Sequence, residues 1–346
     1  MSTNHRAIKT AVVILNWNGK SLLERYLPVL KSNTGPEVEL VVADNASTDG
    51  TESWIKEYHP ELNFIQNGSN LGFAAGYNNC LAKVDAELFI LLNSDVEVTK
   101  DWLPPLIQAM ENDNRVGACQ PKLLWEKQRD TFEYSGAAGG YIDFLGYPFC
   151  RGRIFGHLEK DNGQYDTPIS VFWASGACMA IRKSVFEEVG GFDGQFFAHM
   201  EEIDLCWRIR NHGYDIQCIP ASVVFHVGGA TLPKNNSRKT FLNFRNNLSM
   251  LWKNLRGPQL IPIIFLRLIL DGIAGIKFAF EGNLNDCIAV LKAHFAFYYK
   301  LLSFKLKRGK NSAKPHATIF PKSIVVQHYI LGKSKFSDLK FNPSKQ

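Results

Sequence analysis

The sequence predicts an α/β fold, a mostly parallel sheet with helices on both faces, followed by a helical appendage at the C-terminal end. Three observations predict it. Through the first 120 residues, short β-branched runs alternate with amphipathic helical patterns, as successive right-handed strand–helix–strand units do. Each apolar run exits into a polar stretch rich in Asn, Ser and Asp. Beyond about residue 256 the pattern changes to long apolar stretches interrupted by Lys and Arg.

Ala11-Val12-Val13-Ile14-Leu15 reads as the first buried strand, followed by a helix over about 21–31. Residues 38–43 form the next strand, with a helix over about 51–58. Residues 62–66 are the third strand, with a helix over about 74–83, and Leu88-Phe89-Ile90-Leu91-Leu92 is the fourth. Continuous apolar runs of this length suit strands covered on both faces. Ligands of such sheets bind beyond the C-terminal strand ends. The four exits (Asn16 to Gly19, Asp44 to Ser47, Asn67 to Asn70, and Asn93-Ser94-Asp95) therefore share one edge. Residues 121–170, Gly- and aromatic-rich with weak periodicity, predict loops and short strands over the site. A second structured segment over 171–227 holds a strand at 177–181, a helix near 184–189, an acidic helix opening at Glu201 and a strand at 223–226. The expected division is a catalytic domain over 1–255 and a basic helical region over 256–346.

Composition narrows the setting. A hydrophobic content of 45% and a charged content of 21% are those of a globular protein. The seven cysteines are odd in number and scattered, with no C-x-x-C pair, which predicts buried thiols in a reducing cytoplasm. Residues 1–233 carry 19 Lys and Arg against 29 Asp and Glu, whereas residues 234–346 carry 20 against 4. A basic last third behind an acidic body predicts an anionic partner surface. Long apolar stretches between its charges favour membrane and argue against nucleic acid. Residues 259–280 carry Arg267, Asp271 and Lys277, and the longest uncharged run, 257–266, is far short of the roughly 20 residues needed to cross a bilayer. At about 100° per residue, Arg267, Asp271, Lys277 and Glu281 fall within an arc of roughly 120°, leaving a broad apolar face. A second helix over 288–307 ends near Lys305, Lys307, Arg308 and Lys310. The pair is expected to lie at the cytoplasmic face of the inner membrane as a peripheral anchor; packing on the catalytic domain is the alternative.

Five places carry chemistry. Asp44, at a strand end before small polar residues, suits either a hydrogen bond to a nucleobase or a plain turn and helix cap. Gly72 and Gly76 open a helix where a ligand, or another element, can approach the backbone closely. Asp95 follows a buried strand, as a ligand to Mg²⁺ or Mn²⁺ would, and His226 ends another strand as a possible companion. Glu201 and Glu202, in the first turn of the acidic helix, suit either the helix dipole or acid–base work beside Phe196, Phe197 and Met200. Asp204, Trp207 and Arg208 one turn on suit a structural network.

Taken in order, VVILNWNG, VVADNASTDGT, NLGFAAGYNN, LLNSDVEV, ASGACMAIRKSVFEEVGGFD, FFAHMEEIDLCWRIRNHGY and FHVGG, spanning residues 11 to 229, resemble the family 2 glycosyltransferases of the GT-A fold, notably their rhamnosyltransferase-like branch. The resemblance implies a Rossmann-like GT-A sheet and an inverting transfer from a nucleoside-diphosphate sugar, uridine- or thymidine-linked and in this branch dTDP-rhamnose. It also implies an acceptor hydroxyl on a glycan or lipid-linked glycan in cell-surface polysaccharide or lipopolysaccharide assembly. It assigns donor binding to Asn16, Asp44, the 72–78 segment with Gly72 and Asn78, Ser94 and Asp95. It assigns a divalent metal, Mg²⁺ or Mn²⁺, to Asp95 with His226, and the base to Glu202 or its neighbour Glu201. Two departures stand out: Asn93 occupies the first position of the DxD-type motif, and Glu202 stands where the family has Asp. The Gln-x-x-Arg-Trp signature of processive synthases is absent, which implies single additions. Arg238 and Arg245 are further candidates to meet the donor phosphates. A sugar nucleotidyltransferase is the alternative, disfavoured by the lack of a basic Gly-rich loop after the first strand. A catalytically silent, membrane-bound assembly factor is the other.

Overall fold

The computed structural model describes residues 9–228, 236–255, 257–303, 308 and 316–342; Gly229, Lys305, Lys307 and Lys310 lie outside the described residues. The first four strands and three helices follow the periodicity closely: β1 (Thr10–Asn16), α1 (Lys20–Ser32), β2 (Glu39–Asp44), α2 (Thr51–Tyr58), β3 (Asn63–Gln66), α3 (Gly72–Leu81) and β4 (Leu88–Asn93). The strands pair in parallel in the order β4-β1-β2-β3. Alternation along β1 shows why both faces are covered. Val12 and Ile14 pack with Leu23, Leu27 and Ile55 of α1 and α2, while Ala11 and Val13 pack with Tyr77, Cys80 and Leu81 of α3.

Beyond β4 the same sheet becomes mixed. The chain continues through β5 (Val96–Val98), α4 (Pro104–Asn112), β6 (Val116–Trp125) and β7 (Gln128–Phe132), then β8 (Gly140–Asp143), β9 (Pro148–Cys150), β10 (Arg153–Ile154), β11 (His157–Leu158) and β12 (Ile169–Ser170). It returns by β13 (Cys178–Arg182), α5 (Lys183–Glu188), α6 (Glu201–Asn211) and β14 (Asp215–His226). β13 lies antiparallel between β4 and β6, and β14 then joins the far side of β6 in parallel, so the sheet is all-parallel where strand–helix crossovers built it and mixed after them. β14 is longer than the expected 223–226 because a register shift between Ile219 and Val223, around Pro220, splits its pattern in two. Proline tolerates such a break because it has no ladder N–H to lose.

Three helices follow, α7 (Ser237–Asn254), α8 (Gly257–Phe280) and α9 (Leu284–Leu302), then β15 (Ile319–Phe320). The C-terminal tail is laced into the body of the molecule. β15 joins β8 at the edge of a second sheet ordered β11-β10-β9-β8-β15. Asp143 at the end of β8 accepts from the backbone N–H groups of Leu145 (3.0 Å), Tyr147 (2.8 Å) and Ile324 (2.9 Å), and Phe336 packs against Tyr141 and Phe149. On α8 the half of the charged arc formed by Arg267 and Asp271 turns inward, while Lys277 and Glu281 stay at the surface. Arg267 and Asp271 are buried and paired at 3.2 Å. Arg267 also donates to Leu145 O (2.9 Å) and to Asn247 Oδ1. Its guanidinium lies 3.8 Å from the Tyr147 ring centroid.

Candidate active site

The sheet gathers the predicted exits at one edge. Parallel register puts Asn16 beside Asp44, and Asp44 beside Gln66. Asn16 is buried and donates to Asp44 Oδ1 (3.0 Å), Ser47 Oγ (3.2 Å) and Thr51 Oγ1 (3.3 Å), while its own Oδ1 is buried without a hydrogen-bond partner. A side chain at Gly19 would stand 2.4 Å from that oxygen and 3.3 Å from Ser94 Oγ, so Gly19 lets the β1 and β4 exits close on each other.

Where the resemblance implies a carboxylate offered to a nucleobase, Asp44 is fully buried and occupied. Oδ1 takes Asn16 and Ser47 Oγ (2.6 Å); Oδ2 takes Ser47 N (2.7 Å) and Gln66 Nε2 (3.2 Å). It braces three strand exits, the turn-and-cap role its residue type also allowed. Gly72 and Asn78 also have partners within the chain. Gly72 has φ +74°, and a Cβ there would meet Phe197 at 2.6 Å, so the glycine serves the approach of the 194–200 segment, whose Phe197 O accepts from Phe73 N (2.7 Å). The Asn78 amide is spent on both backbone groups of Phe192, at 2.8 and 3.0 Å. Gly72 thus ties α3 to the turn before α6, and Asn78 ties it to the 190–193 loop.

Asp95 and His226 do come together. β5 pairs antiparallel with the end of β14, which sets Asp95 Oδ1 3.1 Å from His226 Nε2 in a buried position. Burial would raise the Asp95 carboxyl, but the His226 charge and hydrogen bond outweigh it and hold it below its usual value. Burial would lower His226, and the flanking carboxylates Asp95 and Glu133 reverse that, holding it well above the usual imidazole range. Glu133, which sequence reasoning missed, is buried with Oε1 3.2 Å from His226 Nδ1, within ion-pair reach but without hydrogen-bond alignment. Its Oε2 accepts from Ser135 N. No local pattern marks Glu133; only the pairing of β7 with β6 brings it to the end of β14.

The acidic turn is strained and clamped. Phe197, His199 and Met200 all have positive φ, at 65°, 68° and 72°, a conformation that costs non-glycine residues about 1–3 kcal/mol each and persists only where the surroundings enforce it. Asn246 of α7 enforces it, donating to the carbonyls of Phe196 (2.9 Å), Ala198 (2.9 Å) and His199 (2.8 Å). Arg245, expected near phosphate, instead grips Phe196 O (3.1 Å) and Gln195 O (3.3 Å), and Arg238 lies 5.0 Å from the Phe197 ring centroid. The polar Asn246-Asn247 pair inside a helix, where Asn is unfavourable, was the available signal. One turn into α6, Asp204 is buried among Arg208 Nε (2.9 Å), Lys253 Nζ (2.9 Å) and Asn254 Nδ2 (2.8 Å), the expected structural network with two partners added from α7.

The two glutamates differ. Burial, then the neighbouring Glu202 charge, pushes the Glu201 carboxyl well above the usual range. Burial pushes Glu202 up to about 6, against the pull of backbone amides at the helix start. Each has a buried oxygen without a partner. Glu202 faces Gly176, where an added Cβ would stand 3.7 Å from its own. The buried Cys150 thiol, raised first by burial, feels both Glu133 and Glu202, so the Asp95–His226–Glu133 cluster and the acidic turn share one neighbourhood.

The model of glycosyl transferase family 2 matches residues 11–190. The chain belongs to that family. Among its family 2 relatives, an N-acetylglucosaminyl-diphospho-decaprenol L-rhamnosyltransferase of Mycobacterium tuberculosis is 29% identical over 233 residues, 62% of this chain and 75% of that one. The low-salt glycan biosynthesis hexosyltransferase Agl10 of Haloferax volcanii is 25% identical over 284 residues, covering 80% and 86%. In structure the chain resembles the mannosyltransferase PcManGT of Pyrobaculum calidifontis, solved with GDP-Man and Mn²⁺. The TM-score is 0.53 at 17% identity, over 87% of this chain and 80% of that one; this likeness carries the GT-A fold alone.

Proposed function

We propose that the protein is an inverting, divalent-metal-assisted glycosyltransferase in glycan assembly. It moves a rhamnosyl or other hexosyl unit from a uridine- or thymidine-diphosphate sugar to a hydroxyl of a glycan or lipid-linked glycan. Residues 1–255 carry the catalysis. The reading rests above all on Glu202, a half-buried carboxylate raised to about 6 with one oxygen buried and unpartnered, beside a cluster suited to a metal-bound diphosphate. At neutral pH Glu202 is ionised and able to take a proton, while burial and the Glu202 charge push the neighbouring Glu201 well above the usual carboxylate range.

Asp95 and His226 fit a divalent cation. Two neighbouring ligands of an octahedral ion with bonds of about 2.0–2.1 Å stand about 3.0 Å apart; Oδ1 and Nε2 stand 3.1 Å apart. Among the described residues no group of three or more His, Cys, Asp or Glu is arranged to hold a metal, so donor phosphate oxygens and water would complete the shell. The bound cation would neutralise charge on the departing diphosphate. Asn16 and Ser94 at the closed exits border the donor side. Glu202 removes the acceptor hydroxyl proton as that oxygen attacks the anomeric carbon from the face opposite the diphosphate. The carbon–phosphate-oxygen bond breaks, the nucleoside diphosphate leaves with the bond pair, and the configuration inverts.

Screening uridine- and thymidine-diphosphate sugars with Mn²⁺ by thermal shift, then following the best donor with an acceptor by NMR, tests the reading. A nucleoside diphosphate and an inverted product are expected. Released pyrophosphate, or retained configuration, would overturn it.

A further inference from the structure

The α8–α9 hairpin is turned inside out relative to an ordinary surface helix pair, and nothing in the transfer chemistry uses its outer face. On α8 the arc opposite Arg267 and Asp271 faces outward, with Phe265 63%, Ile273 57% and Phe280 89% exposed. On α9 the outward arc carries Leu291 at 55%, Phe295 at 73% and Leu302 at 77%. The two helices pack on each other, so the arcs join. The apolar surface continues onto the segment 326–331, where Tyr329 and Ile330 are exposed and Lys277 Nζ stands 5.9 Å from the Tyr329 ring centroid. Contiguous exposed apolar surface of this kind marks an interaction site.

We infer that this face docks on an anionic lipid bilayer, with the protein lying in the interface and not crossing it. The chemistry of the face selects lipid. Its outward arcs are almost wholly hydrocarbon and aromatic, whereas a protein interface carries roughly one hydrogen bond per 100–200 Å²; acyl chains require none. The charge around it is complementary to lipid head groups. Residues 234–346 carry 20 Lys and Arg against 4 Asp and Glu. Of those acids Asp271 is buried and Glu281 is paired with Lys277 at 2.9 Å, while Lys277 on α8 and Lys292 at the rim of the α9 arc are exposed on the hairpin itself. Basic residues beside an apolar helix face are what an interfacial anchor presents to anionic head groups. Crossing is disfavoured by the same geometry: no helix among the described residues is long and apolar enough to span a membrane, and α8 is held to the body by its buried Arg267–Asp271 pair. Lys300 of α9 donates to Gln195 O at 3.0 Å, so the docked hairpin touches the turn leading into Glu202. Resting on the proposed transfer, this favours an acceptor carried in the same bilayer.

Flotation of the full chain with phosphatidylcholine vesicles, with and without phosphatidylglycerol, tests the surface without reference to catalysis. The protein is expected to float with the phosphatidylglycerol vesicles, and the double substitution Ile273→Glu, Phe295→Glu to cut the bound fraction about tenfold or more. Both positions are exposed, so unchanged circular dichroism and melting are expected of that variant. Lys292→Glu, a milder change, should weaken binding to the anionic vesicles alone. Absence of flotation at low salt would overturn the inference. So would a concentration-dependent dimer that Phe295→Glu dissociates while vesicle binding is nil, since a second copy would then own the face.

Discussion

Glu201 and Glu202 are adjacent in the chain, and burial treats them differently enough to separate their chemistry. With Glu202 as the proposed base, kcat is expected to rise with pH through about 6 and then level, read from a pH–rate profile under saturating donor. Glu202→Gln should lower kcat by about 10²–10⁴-fold with donor affinity nearly unchanged in a binding titration. The same raised pKa has a thermodynamic sign. A carboxyl titrating at about 6 in the folded chain against 4.5 unfolded contributes stability that is full below 4.5 and lost as pH rises through 6. Glu202→Gln should therefore melt higher than the natural protein at pH 8, by about 2 kcal/mol at most, and gain little at pH 4. Across the site, Glu133 stands behind His226 as a carboxylate stands behind a metal-binding imidazole. Glu133→Gln is expected to weaken Mn²⁺ binding about 10–100-fold, measured by paramagnetic resonance titration without donor, while leaving the fold intact.

At the scale of elements, the catalytic turn depends on a helix remote from it in sequence. Asn246→Ala removes the donor to three carbonyls and frees the strained residues 197–200 to relax. Its expected result is a loss of kcat of about 10-fold or more, from misplacement of Glu202, with a smaller change in melting temperature. Asp204→Ala is the structural counterpart. It would leave Arg208 without a carboxylate partner and Lys253 with Asp193 alone, and cost about 3–5 kcal/mol in a denaturant titration. Much of this architecture is legible in sequence, and the reason is periodicity. The buried runs of β1, β2 and β4, and the α1, α2 and α5 faces, are local patterns that burial imposes. Placement is legible where it follows from a strand end, as for Asn16, Asp95 and His226. The contacts of Gly72 and Asn78 were not legible, because a glycine or an amide at a helix start serves a ligand and a neighbouring turn equally well. Glu133 and the long β14 depend on pairings far apart in the chain, which no local pattern records; Asn246 left a local mark, an amide pair inside a helix, but its partners at 196–199 lie as far away.

For the whole molecule, a helical wheel found the charged and apolar arcs of α8 but could not say which one meets water; the buried acceptors around Arg267 decide that. Nor is the C-terminal region a loose appendage. Phe336 is buried against Tyr141 and Phe149, so Phe336→Ala should cost about 3–5 kcal/mol and shift one cooperative melting transition, where a detached tail would leave the catalytic body's transition unmoved. The inverted hairpin also bears on how the protein can be handled. Its seam with the body includes an ion pair sealed from solvent, while its outer side is greasy. Micelles of a mild non-ionic detergent compete for the greasy side alone, so they should sheath the hairpin and keep the protein dispersed without prising it from the sheet.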